Sequence, residues 1–182
     1  MSNYTDLVNS ITMVYPGFKI VEKSSSLFMK IINILLLIIS FGQNKLFMID
    51  YITTIGKIIY VPIDWNTLID IHKIEILRHE SIHLEQADRD GRILFSLKYL
   101  FWYFPAFFAN GRVSYEMEAY TETIKSIIEL EGINAVNNDN FKNWLIDQFT
   151  GPYYLWMSIN KTYITLWVET TIANCIANNS KS

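Results

Sequence analysis

The chain has a single cysteine, Cys175. An internal disulfide is thereby excluded, and a neighbourhood of Ile, Ala and Asn suits a small buried hydrophobe better than a reactive thiol. Excess positive charge is lacking as well. With 15 Lys and Arg against 18 Asp and Glu the net charge is −3, so no basic surface offers itself to a phosphate backbone, which argues against nucleic acid as a partner. Also missing is an uninterrupted apolar run of the roughly 18 to 20 residues that a membrane-spanning helix needs. Two apolar stretches, Leu27 to Phe41 and Ile93 to Ala109, are interrupted by Lys30, Asn33, Lys98 and Pro105, and both are expected to be core helices rather than interfacial membrane segments. The second, with eight aromatics between Phe95 and Phe108, also suits the wall of a groove or a contact with a membrane surface or a protein assembly. The opening MSNYTDLVNSITMVYPGFK has no basic stretch leading into an apolar one, so no secretory signal is read and a cytoplasmic location is expected.

What remains is enough for one globular unit with a real core, residues 1–182 as a single domain. Val14 to Val21 reads as a short strand with a Pro-Gly turn, and Leu27 to Phe41 as a mostly buried helix. β-Branched and aromatic residues predict strands over Phe47 to Thr53 and Lys57 to Val61, joined at Gly56. Helical spacing then runs from Asp64 or Asn66, as N-cap, through Leu68, Ile71, Ile74, Leu77 and Ile82 to a stop at Gly91. A second helix follows from Arg112 to a stop at Gly132, then a polar loop over Asn134 to Asn140, a helix over Phe141 to Phe149, and a helical C-terminal stretch with a frayed NNSKS tail. No internal repeat or low-complexity segment appears. The fold class expected is α+β, a small N-terminal sheet followed by a mainly helical body.

Within the first of those helices the stretch LRHESIHLEQ holds two of the three histidines, His79 and His83. Residues i and i+4 share a helix face, so both imidazoles can converge on one ion at about 2.0 to 2.1 Å. Glu80 is rotated to the flank of that face, where it reaches a metal-bound water rather than the metal, as a general base does. Zinc lowers the pKa of such a water from about 15.7 towards about 7 and polarises a carbonyl oxygen. The plain alternative is a solvated helix face that happens to carry His, Glu and His. His72, two turns before His79, is too distant to be a third ligand and is read as a surface or packing residue. Carboxylates of the later helix, Glu116, Glu118 and Glu122, are the candidates for that ligand.

HESIH followed downstream by Glu116-Met117-Glu118-Ala119 resembles the gluzincin class of zinc metallopeptidases, a zincin-like fold. The resemblance implies that Glu116 completes a site with His79 and His83, and leaves Glu118 and Glu122 as exposed helix surface. TTIGKIIYVP ahead of the motif and Gln86 after His83 are similar to small gluzincin-like proteins encoded by bacteria and their phages, which implies a virion-associated location if the chain is phage-encoded. One departure stands out: many relatives have Asp four residues after the glutamate ligand, where it orients a ligand histidine, and here that position is Tyr120, whose neutral phenol raises histidine basicity less. The class also implies a peptide or protein substrate held as an added strand on a sheet edge, for which Ile55 to Val61 is the candidate, an ordinary core strand being the alternative. An oxyanion donor is wanted too. Tyr115, Tyr120, Tyr153 and Tyr154 are candidates, with Arg78 and Arg112 as alternatives that are otherwise read as solvated charges. The function expected is a zinc metallopeptidase with Glu80 as catalytic base; the competing reading is a non-catalytic structural or virion-associated protein that retains a metal site.

Overall fold

The computed structural model describes residues 3–39, 41–42, 46–91, 94–95, 109–151, 158 and 160–180. The aromatic run 93–109 therefore lies largely outside the described residues, as do Tyr153 and Tyr154. Two compact units make up the chain, Met1–Ile74 and Glu75–Ser182, and together their elements give an α+β chain, mainly helical with one small sheet.

In the first unit, α1 (Tyr4–Val14) is a helix that the hydrophobic pattern did not announce; Asn3 starts it by accepting from the backbone N–H of Asp6 at 2.9 Å. Val14 to Phe18 consequently ends a helix and turns, and the first strand, β1, is Lys19–Glu22. α2 spans Leu27–Ile39, β2 Thr53–Ile55 and β3 Ile58–Val61. The sheet order is β1-β3-β2, with β1 parallel and β2 antiparallel to β3. A parallel pair needs a crossover, and α2 lies within it. β2 and β3 form a tight hairpin in which Ile55 pairs with Ile58 and Gly56 takes φ +62°, a conformation that costs glycine nothing.

Four expectations are corrected in this unit. The segment before Thr53 is a turn, not a strand, because its carbonyls are engaged elsewhere. The fully buried Lys23 ammonium donates to Phe47 O at 2.7 Å and to Tyr51 O at 2.8 Å, and sits 3.9 Å over the Phe47 ring. The strand Ile58–Val61 is no sheet edge: it is central, paired on both sides, and the outer strands are β1 and β2. Nor is α2 mostly buried. Met29, Ile32 and Leu36 pack with Phe47 and Tyr60, while Leu27, Phe28, Ile34, Leu35 and Ile38 stay exposed, since the small sheet covers only one face of a helix that is apolar nearly all round, with Lys30 and Asn33 its only polar residues. Finally, the helix carrying the histidines does not begin at Asp64 or Asn66. Residues Ile63–Thr67 form a 3₁₀ turn pinned by buried Trp65, Leu68 is extended, and α3 (Asp70–Asp90) starts after it.

The second unit takes most of α3, then α4 (Ala109–Glu131), a single helical turn α5 (Ile133–Val136), α6 (Asp139–Thr150) and α7 (Lys161–Asn179). α3 and α4 end at glycines with positive φ, Gly91 (84°) and Gly132 (92°), as the sequence predicts. The polar loop of the sequence reading contains α5, and Asn138 caps α6 by accepting from Phe141 N at 2.9 Å. α7 continues to Asn179, into the first two residues of the NNSKS tail, whose last two lie outside the described residues. Its core joins Val113, Ile124, Ile127 and Ile128 of α4 to Leu145 and Phe149 of α6 and to Ile164, Val168, Ile172 and Cys175 of α7. Cys175 is thus a buried free thiol within an apolar cluster, as read from its neighbours. Among the described residues no helix is long and apolar enough to cross a membrane.

Candidate metal centre between two antiparallel helices

α3 and α4 run antiparallel, as their cross-links show: Arg78 near the start of α3 bonds Glu122 and Glu129, and Asp90 at its end accepts from the Tyr115 hydroxyl. This pairing sets His79 and His83, one turn apart on α3, against Glu116 on α4. His79 Nε2 lies 3.6 Å and His83 Nε2 3.9 Å from the same oxygen, Glu116 Oε2. Three donor atoms, one from each residue, all lie within 4.8 Å of one another. Metal–ligand bonds of about 2.0 to 2.1 Å in a tetrahedron place donors roughly 3.3 to 3.5 Å apart. The cluster fits a zinc ion with a small contraction, and its donor set of two imidazoles and one carboxylate is the kind that leaves a position open to water.

Each histidine is held from behind. His79 Nδ1 is 3.0 Å from the Thr123 hydroxyl, and His83 Nδ1 is 2.8 Å from Gln86 Oε1. Both Nε2 atoms are thereby turned towards Glu116. Glu116 is 1 % exposed. Burial alone would push its carboxyl up, but hydrogen bonding with His79 and the charges of His83, His79 and Arg112 outweigh it and hold the group at about 2. His79 moves the other way. Burial disfavours the charged ring, yet Glu116 and Glu80 together raise its pKa above the ordinary value. Glu80 is itself buried and close enough for its charge to act on His79.

Of the residues singled out from sequence, His79, His83 and Glu116 are brought together and Glu80 lies beside them. Several others have different roles from those expected. Glu118 is exposed, as expected, and in addition its Oε2 accepts from Gln86 Nε2 at 2.9 Å and from Arg89 Nη1 at 3.0 Å. Glu122 is half-buried and pairs with Arg78, so Arg78 is a cross-link between the helices rather than a solvated charge. Tyr115 is buried with its hydroxyl on Asp90. Tyr120 is buried beside His79. Its ring packs edge-on against His79, centroids 4.7 Å apart, and its hydroxyl points to Gln148 Oε1 at 3.5 Å. The hydrogen bond at His79 Nδ1 is with Thr123 Oγ1, which sequence reasoning missed. Its signal was spacing alone: seven residues after Glu116, two turns on, it lies on the same face of α4.

No protein-family model, curated protein or solved structure matches the chain.

Proposed function

We propose that the chain is a zinc-dependent metallopeptidase of gluzincin type with a zincin-like arrangement of its helices, acting on peptide or protein substrates. The observation that carries this reading is the convergence of His79 Nε2, His83 Nε2 and Glu116 Oε2 within 4.8 Å, with buried Glu80 alongside. When bound, zinc supplies Lewis acidity, making water acidic near neutral pH and polarising a carbonyl oxygen. The residues do the rest. His79 and His83 present lone pairs, held in place by Thr123 and Gln86, and Glu116 presents the negative charge that a dication requires. Glu80 takes the proton from water as it adds to the peptide carbonyl and returns it to the departing nitrogen. Purified protein is expected to carry about one zinc per chain, to lose it in His83→Ala and Glu116→Gln, and to cleave members of a peptide library only when zinc is present. Absence of zinc uptake on titration overturns the reading.

A second reading, a non-catalytic structural or virion-associated protein with the same metal site, has one observation in its favour. The hydroxyls of Tyr115 and Tyr120 and the guanidinium of Arg78, three of the candidate oxyanion donors, are engaged with Asp90, Gln148, and Glu122 with Glu129. Zinc uptake without cleavage of any peptide in the library selects that reading.

A further inference from the structure

Gln86 lies on α3 one turn beyond His83 and is 1 % exposed. Its amide nitrogen is 2.9 Å from the Tyr115 carbonyl oxygen and 2.9 Å from Glu118 Oε2, both on α4. A carbonyl and a carboxylate accept and do not donate, so the NH₂ end of the amide must face α4. Its oxygen is left facing His83, 2.8 Å from Nδ1. An amide oxygen can only accept. The hydrogen between them therefore belongs to the imidazole, which places it on Nδ1 and leaves the Nε2 lone pair directed at the Glu116 side.

We propose that Gln86 is a positioning residue that locks His83 in the Nδ1–H tautomer, and that Glu118, tethered by Arg89, sets the polarity of the Gln86 amide. A neutral imidazole in water prefers the other tautomer, so an unassisted histidine would have to exchange protons before offering Nε2 to an ion. The lock removes that step for His83. At His79 the partner is a hydroxyl, which can turn to donate or accept: Thr123 Oγ1 lies 3.0 Å from His79 Nδ1 and donates to Ala119 O at 3.3 Å, and with its one hydrogen so used it accepts from the imidazole. Both histidines thus carry the hydrogen on Nδ1, His83 against an amide whose orientation is dictated from α4 and His79 against a hydroxyl that is free to turn. The inference deepens the proposed metal site and rests on it for its purpose, not for its geometry.

The test uses the full-length chain labelled with ¹⁵N in its three histidines, stripped of metal with a chelator. Ring-nitrogen shifts distinguish the two neutral tautomers, and zinc alone is then titrated. In the wild type His83 is expected to be Nδ1–H. Gln86→Met is expected to release it into a mixture and to lower zinc affinity about 10-fold to 100-fold, leaving the His79 ring signals unchanged. Gln86→Glu, which can still accept, is expected to retain the Nδ1–H tautomer, an outcome that a packing role alone would not produce. Glu118→Leu, at a more exposed position, covers the case in which Gln86→Met does not fold; it is expected to give partial release. An Nε2–H tautomer for His83 in the wild type overturns the proposal, as does an unchanged His83 spectrum in Glu118→Leu together with either an unchanged spectrum or a failed fold in Gln86→Met. If the wild type takes up no zinc while His83 is still locked, the metal reading falls and the lock stands.

Discussion

The two faces of α4 are buried by opposite chemistry. Towards α6 and α7 it presents Val113, Ile124, Ile127 and Ile128, which pack into an apolar cluster with Leu145, Phe149, Ile164 and Val168. Towards α3 it presents Glu116, Thr123 and the Tyr115 carbonyl, together with the flanking Glu118 and Glu122, nearly all of them joined to a named group on α3. The apolar face holds the helices together without direction, through area removed from water. The polar face adds a modest net stability per hydrogen bond, since each replaces one to water, and it fixes where particular atoms sit. One face makes the unit fold, and the other makes it specific.

On the polar side the largest effect is expected at Glu80. Glu80→Gln is expected to fold and to bind zinc as before while peptide hydrolysis falls by roughly 100-fold to 10,000-fold, the range typical of a lost general base. Thermal melts and zinc titration alongside the peptide assay check this, and equal activity in the two proteins removes the enzyme reading while leaving the metal site intact. On the other face, Phe149→Ala is expected to destabilise the protein by about 3 to 5 kcal/mol, because Phe149 is fully buried among Tyr120, Trp167 and their neighbours. Zinc affinity measured well below its melting temperature should stay near wild type. A large drop there shows that the two faces are not separable.

The pH dependence of the metal-free protein sharpens the polar side. Glu116 has a folded pKa of about 2 against an ordinary 4.5, so its contribution is present above 4.5 and is lost as pH falls towards 2. His79 is raised above its ordinary 6.5, so its contribution is present below 6.5 and is lost as pH rises through the folded value. Denaturant midpoints of chelated protein should therefore be highest between about 4.5 and 6.5, and Glu116→Gln should flatten both limbs. A profile in the variant that matches wild type contradicts the pairing. The smallest effect is expected at Arg78, whose guanidinium is 22 % exposed and bridges Glu122 and Glu129. Arg78→Met should cost on the order of 1 kcal/mol, less at high salt, with no change at the metal centre. A loss of zinc affinity in this variant instead makes the helix cross-link part of the site.

The pattern of which residues were readable follows from distance along the chain. His79, Glu80 and His83 are local, and one turn of helix is enough to relate them. Gly91 and Gly132 mark the ends of α3 and α4 because a positive φ is a backbone property of the residue itself. The Cys175 environment was readable from its neighbours for the same reason. The turn before Thr53 was not, since β-branched residues there would pair as a strand if the Lys23 ammonium, distant in sequence, did not take the carbonyls of Phe47 and Tyr51. The exposure of α2 likewise depends on how much sheet there is to cover it.

By itself the sequence determined an α+β chain with His79 and His83 on one face of one helix, because periodicity and residue type act within a few positions. The choice among Glu116, Glu118 and Glu122 could be suggested by family likeness but not decided by spacing. Only the antiparallel register of α3 against α4 put Glu116 Oε2 between the two histidines, gave Glu122 to Arg78, and turned Glu118 to Gln86. Three carboxylates of equal chemistry on one helix acquired three different roles because a rotation of about 100° per residue aims each at a different partner, and those partners exist only once the second helix is in place.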